Sequence, residues 1–201
     1  DLSGGLTAGA PERRSVDQTW TQPWGEVERV RDRHEELRLP LRETGGAGRG
    51  FTLVFRVFDE GVGFRYEVPA QAALNGAEIT EELTRFRFAV DGTAFWSPAR
   101  DRLYNEQIVR TTPLTQVVHA DTPFTVKARS GLHLAVHEAA LVDFAAMTLK
   151  READGAFRAV LTPGADGIAV RTGEGFRTPW RTIQLADRAT GLIEGSLMTL
   201  N

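Results

Sequence analysis

Residues 51–68 read FTLVFRVFDEGVGFRYEV. Two runs rich in aromatic and β-branched residues flank Asp59, Glu60 and Gly61, a short glycine-containing link of the kind that closes antiparallel hairpins. In the first run apolar side chains fall on both faces: Phe51, Leu53, Phe55 and Val57 on one, Val54 and Phe58 on the other. That pattern predicts a strand covered on both sides. In the second run Phe64, Tyr66 and Val68 face one way and Arg65 and Glu67 the other, so one side of the sheet carries charge.

Working outward, short β runs recur at 85–90, 107–111, 115–120, 124–128, 132–138, 147–150, 156–161, 167–171 and 180–186. Turn pairs such as Asp91-Gly92, Asp154-Gly155 and Pro163-Gly164 separate several of them. No long helical periodicity and no internal repeat interrupts the series, which predicts an all-β fold of antiparallel sheets with little helix. Residues 26–41 are ambiguous, because Val27, Val30, His34, Leu37 and Leu41 approach helical spacing while Leu37, Leu39 and Leu41 alternate as in a strand. Pro40 decides for a strand, and an edge strand at that, since inside a helix it would cost about 3 kcal/mol. Residues 1–14, rich in Gly, Ala, Ser, Pro and charge, are expected to form a flexible leader before a sandwich domain over 15–201. The Gly-rich stretch 43–50 lacks the Lys and Ser/Thr of a phosphate loop and is expected to be a hairpin connection.

The chain has 201 residues, a formal net charge of -3 and no cysteine. The charge balance and the lack of a basic stripe argue against a nucleic-acid partner. No apolar run approaches the roughly 20 residues of a membrane-spanning helix, so no membrane partner is expected. Without cysteine there is no thiol nucleophile, disulfide frame or Cys-based zinc site. The chain opens on Asp1, which suggests that any signal peptide has been removed.

Chemistry-bearing residues are few. In LHLAVHEAALVDF (132–144), Glu138 ends an apolar stripe of Leu132, Leu134 and Val136 on one strand face. A carboxylate aimed at a low-dielectric interior must be near a rim, protonated, or bound to a cation. His133 and His137 share a strand face but lie about 13 Å apart along it, too far to ligate one ion. Asp143 falls an odd number of positions from Glu138, on the opposite face of a regular strand, so a hydrolytic carboxylate pair is not expected. EITEEL (78–83) reads as a solvated acidic face. Trp20, Trp24, Trp96 and Trp180 sit beside polar residues or proline at loop or strand entries. Such tryptophans either plug the ends of a sandwich or stack on sugar rings.

PWGE at 23–26, RVFDEGVGFRYEVP at 56–69, HEAALVDF at 137–144 and TPWRTIQLAD at 178–187 together resemble the N-terminal domain of glycoside hydrolase family 97, whose members are bacterial exo-acting α-glucosidases and α-galactosidases. The resemblance spans nearly the whole chain, and SLMTLN at its end resembles the stretch leading into the family's catalytic domain. It implies a β-super-sandwich like that of galactose mutarotase, in which further strands usually precede the position corresponding to Asp1, packed on a (β/α)8 barrel that follows residue 201 and carries the catalytic groups. It implies a periplasmic or secreted, calcium-dependent enzyme acting on α-linked oligosaccharides. Glu138 matches the family's N-terminal glutamate near calcium, so this domain is expected to donate one ligand to an ion shared with the barrel, and to be inactive alone. Trp24, Glu26, Trp180 and Arg181, from PWGE and TPWRT, are expected to form a pocket wall or a domain interface. RDRHEEL at 31–37 departs from the family's Asn-His-Tyr-Asn-Glu-Leu by replacing neutral groups with charge. A stand-alone carbohydrate-binding module and a mutarotase-like enzyme are the alternatives; the first would bind oligosaccharide without metal, and the second needs His and carboxylate groups converging on one pocket.

Overall fold

The hairpin expected at 51–68 forms in the structure, a computed structural model that describes residues 2, 4–25, 27–99 and 107–201. In chain order the strands are β1 (Leu6–Ala8), β2 (Glu12–Thr21), β3 (Arg29–Glu43), β4 (Gly50–Phe58), β5 (Gly61–Val68), β6 (Glu78–Ile79), β7 (Arg85–Phe86), β8 (Gly92–Trp96) and β9 (Arg110–Pro113). They continue as β10 (His119–Ala120), β11 (Phe124–Ala128), β12 (His133–Ala139), β13 (Met147–Arg151), β14 (Phe157–Leu161), β15 (Val170–Arg171), β16 (Phe176–Arg177) and β17 (Trp180–Ala186). Two single-turn helices close the chain, α1 (Gly191–Glu194) and α2 (Leu197–Leu200).

The larger sheet runs β1-β3-β4-β5-β17-β12-β11-β8-β9, with β2 also paired to β3 and β16 to β5. A smaller sheet runs β10-β13-β14-β7, and β15 pairs with β6. Every pairing is antiparallel, as the local hairpins and period-2 patterns predict. In the β4–β5 hairpin Phe55 lies opposite Phe64 and Val57 opposite Val62. Gly61 opens β5 with φ +150, and a Cβ there would stand 2.2 Å from the Ile183 carbonyl oxygen. Close approach of β5 to β17 thus requires glycine. Gly61→Ala is expected to destabilise the chain by roughly 2 kcal/mol or more, read as a lower urea midpoint; an unchanged midpoint would show that the two strands can part at no cost.

Between the two sheets lies the core. Phe124, Val126 and Val136 from the large sheet meet Phe86, Met147, Leu149, Phe157 and Ala159 from the small one. The rings of Phe88, Phe124 and Phe157 pack with centroids 5.2–5.7 Å apart, a spacing at which edge-to-face and offset contacts add to area burial. The opposite, outer face of the large sheet is covered in part by the C-terminal segment. There α1 and α2 pack against β17 and β12, and Met198 of α2 sits on Val54, Ala139 and Trp180.

Several expectations are corrected. The leader is not structureless, because β1 and the first residues of β2 come from it and pair with β3. The strand containing Pro40 is interior, between β1/β2 on one side and β4 on the other. Proline is tolerated because Pro40 faces the gap between β1 and β2, where Gly9 donates its N–H to the Pro40 carbonyl at 2.8 Å and no ladder donor is needed in return. The run 85–90 keeps ladder pairing only at 85–86, and 115–120 begins as a 3-10 turn at Leu114–Gln116. Two-residue strands at 78–79 and 176–177 went unread because they are too short for any period to show.

Candidate functional site

Strands β5, β17 and β12 are neighbours, so the motif segments 56–69, 178–187 and 137–144 lie side by side. Register then sorts their side chains. Phe55, Phe64, Arg181 and Glu138 occupy one row facing the small sheet, whereas Arg38, Val54, Arg65, Trp180 and Ala139 occupy a row on the outer face.

The inner row contains an ion-pair triad. Arg181, fully buried, donates Nη1 to Glu138 Oε2 at 2.5 Å and Nε to Glu82 Oε1 at 3.0 Å, with Nη2 also on Glu82. Both Glu138 oxygens also lie within reach of the Met147 N–H, at 3.0 and 3.2 Å. Burial pushes the Glu138 carboxyl above its ordinary range, against the opposing pull of the Met147 amide and Arg181. Glu82 belongs to EITEEL, read from sequence as solvated; the structure buries it, because a guanidinium in the core needs a second carboxylate arm.

The expected calcium ligand therefore sits in surroundings that do not fit calcium. Glu138 has only 6% of its side-chain surface exposed, its charge is met by a guanidinium, and its lone pairs by that cation and an amide. Calcium takes six to eight oxygen ligands, of which this domain was expected to supply one; in this chain the oxygens of that one group are engaged by Arg181 and the Met147 amide.

The outer row builds a charged ring. Glu36, held well below the usual carboxylate range despite burial by Arg14 and Arg56, accepts from Arg14 at 2.9 Å and Arg56 at 3.2 Å. Arg56 lies over the Trp180 ring at 4.5 Å and Arg65 over the same ring at 4.4 Å. Arg65 pairs with Glu67, Glu67 accepts from Arg38 at 2.5 Å, and Arg38 returns to within 3.9 Å of Glu36. Arg177 approaches Glu67 at 3.9 Å from β16. Trp180 is the ring's floor, only 1% exposed.

Beside this ring opens a cavity of about 1040 Å³, lined among others by Arg38, Glu67, Asp143, Phe144, Phe176 and Arg177. The HEAALVDF loop forms part of its rim, with Ala140 and Asp143 at φ 51 and 49, left-handed conformations costly for non-glycine residues.

Among the described residues proposed for the wall, Trp24 is not brought to Trp180 and Arg181. Trp24, 81% exposed, lies in the link from β2 to β3, beyond the last rung, Thr21 opposite Arg29. Trp180 shares its row with Arg38, nine residues further along β3, about 30 Å at strand rise. Trp180 faces outward but is covered, Arg181 faces inward, and Glu26 lies outside the described residues. Sequence reasoning missed Glu36, Arg38, Arg56 and Glu82; the signal for the first two was the alternation in VRDRHEELR, whose Val30, Asp32, His34 and Glu36 are all buried. Nor do the histidines converge. His119 bonds Thr148 in the small sheet at 2.8 Å, while His34 bonds Asp32 in β3 at 2.6 Å.

Comparison with known proteins places these features in a family. The family described as "Glycosyl-hydrolase 97 N-terminal" matches residues 1–201. A probable retaining alpha-galactosidase from Streptomyces bingchenggensis (strain BCW-1) is 30% identical over 195 residues, 94% of this chain but 28% of that protein. A Glycoside Hydrolase Family 97 enzyme from Pseudoalteromonas sp. strain K8, solved with acarbose, superposes with a TM-score of 0.94 at 42% identity, covering all of this chain and 31% of its own. A beta-arabinopyranosidase structure gives a TM-score of 0.79 at 26% identity, over 91% of this chain and 32% of its own. The chain thus spans about a third or less of the relatives it matches, and it belongs to the N-terminal domain family of glycoside hydrolase family 97.

Proposed function

We propose that this chain is the non-catalytic N-terminal domain of a bacterial exo-acting α-glycosidase, an α-galactosidase or α-glucosidase, and that it supports a C-terminal catalytic domain working on α-linked oligosaccharides. The observation that carries this reading is the outer face of the large sheet. Three motif strands lie adjacent there, Arg56, Arg65 and Glu67 of the 56–69 motif join Arg14, Glu36, Arg38 and Arg177 in a preorganised ring over Trp180 of β17, and the chain's last residues lie on the same surface, with Arg56 donating to the Leu200 carbonyl at 3.1 Å. The matched relatives are roughly three times as long as this chain. A stand-alone sugar-binding module gains less support, because Trp180 is capped by arginines and by Met198 instead of offering a free ring face.

In this reading the calcium ion implied by the family takes its oxygens from the catalytic domain, and Glu138 could reach it only by exchanging Arg181. The domain's own contribution is a rigid support, in which Glu138 ties the start of β13 and the guanidinium of β17 to β12.

The test compares this 201-residue chain with the longer protein on p-nitrophenyl α-galactoside and α-glucoside. The longer protein is expected to hydrolyse at least one of them and to lose activity on chelation, while this chain turns over neither; turnover by this chain alone would refute the assignment. Glu138→Gln in the longer protein is expected to leave calcium affinity within about threefold, whereas loss of a direct ligand would weaken it by well over tenfold.

A further inference from the structure

The ring on the outer face is unbalanced. Five guanidiniums, Arg14, Arg38, Arg56, Arg65 and Arg177, share two carboxylates, Glu36 and Glu67. Among the described residues, Glu12, across the β2–β3 ladder from Arg38, and Asp143, on the cavity rim, still leave positive charge in excess. Burial, only partly offset by Glu67, pushes the Arg65 guanidinium down from its ordinary value, and the like charges of Arg177 and Arg56 add to it. A preorganised cationic wall of this kind is completed by anions brought to it.

From this wall and the cavity beside it, we propose that the cavity receives an acidic segment of the catalytic domain, whose carboxylates complete the arginine ring. Three features favour a polypeptide over a neutral sugar. A sugar brings no compensating charge. The rim loop exposes apolar Leu141 and Val142, the latter 70% exposed, surface that suits a protein contact. Finally, Leu200 and Asn201 lie on the same face, Asn201 against Gly63, so the residues that follow in longer relatives start beside the ring. Acidic residues seated here would hold the HEAALVDF loop from one side while Glu138 anchors the strand leading into it from the other.

This inference rests on the domain assignment above, but it fails separately from it. Hydrogen exchange is measured on the 201-residue chain and on the longer protein, at low salt and in 0.5 M sodium chloride. Amides of 141–144 and 173–177 are expected to exchange at least tenfold more slowly in the longer protein at low salt, with much of that protection lost in high salt. Arg177→Glu, at a side chain 69% exposed, should remove the protection at low salt, and Arg177→Lys should retain most of it. Thermal unfolding of the Arg177→Glu form of this chain is expected to match the parent chain, separating docking from folding. Absence of protection, protection insensitive to both salt and charge reversal, or protection produced in this chain by free maltooligosaccharide would overturn the proposal. Hydrolysis by the same longer protein is read independently, so a failed docking test beside intact activity sinks this inference and leaves the functional assignment standing.

Discussion

Arg181→Leu is expected to lower the unfolding free energy of this chain by about 3–5 kcal/mol, because it leaves Glu82 and Glu138 facing one another in the core with no cation between them. Breaking a buried ion network from one side is expensive for that reason, although the intact network is worth little against a hydrophobic replacement. The combination Arg181→Met, Glu82→Leu and Glu138→Gln should therefore recover most of the loss, since glutamine still accepts from the Met147 N–H. Urea unfolding at pH 7 reads both. A single-variant loss under about 1 kcal/mol would mean that solvent reaches the triad.

The same network sets a pH dependence. Glu138 titrates above its ordinary 4.5 in the folded chain, with burial the largest cause, so the folded state holds this proton more tightly than the unfolded state does. Its contribution is most favourable below pH 4.5 and is lost as pH rises through the raised value. Glu138→Gln should remove that decline from the stability profile.

Legibility in the sequence followed the range of the interaction. The hairpin 51–68 and the strands 124–128 and 180–186 were readable because alternation and turn chemistry are local. Pro40 marked a strand correctly, but its place in the sheet depends on the break between β1 and β2, some thirty residues upstream. Glu82 could not be distinguished from its solvated neighbours, because what buries it is Arg181, 99 positions away. Glu138 was singled out as a carboxylate that must lie near a rim, be protonated or meet a cation, and in the structure it meets one. The cation in the structure is Arg181, directly opposite Glu138 across the β12–β17 ladder; local reasoning had placed it on a pocket wall, but the alternation of β17 sends Trp180 outward and Arg181 inward. Arg65 and Glu67 were read as the polar side of their strand, and that side became the ring; its closure needed β3, β4, β5 and β17 in register, which no window of sequence displays.

That dependence on register makes Trp180→Ala the second large effect. The indole is almost wholly buried, with Arg56 and Arg65 over it and Val54, Ala139 and Met198 around it, so truncation leaves a cavity and is expected to cost about 3–5 kcal/mol. Two guanidiniums would lose the ring face that holds them, and Met198 would lose its floor, so α2 should loosen before the sheet does. Exchange of the Thr199 and Leu200 amides, which bond back to the Ser196 carbonyl, is expected to accelerate at least tenfold. Trp180→Phe keeps an aromatic floor and should show under half of either effect, which guards against a variant too unstable to study. If alanine were to cost no more than phenylalanine and leave α2 protected, Trp180 would be filler between strands, and the arginine ring would stand on its carboxylates alone.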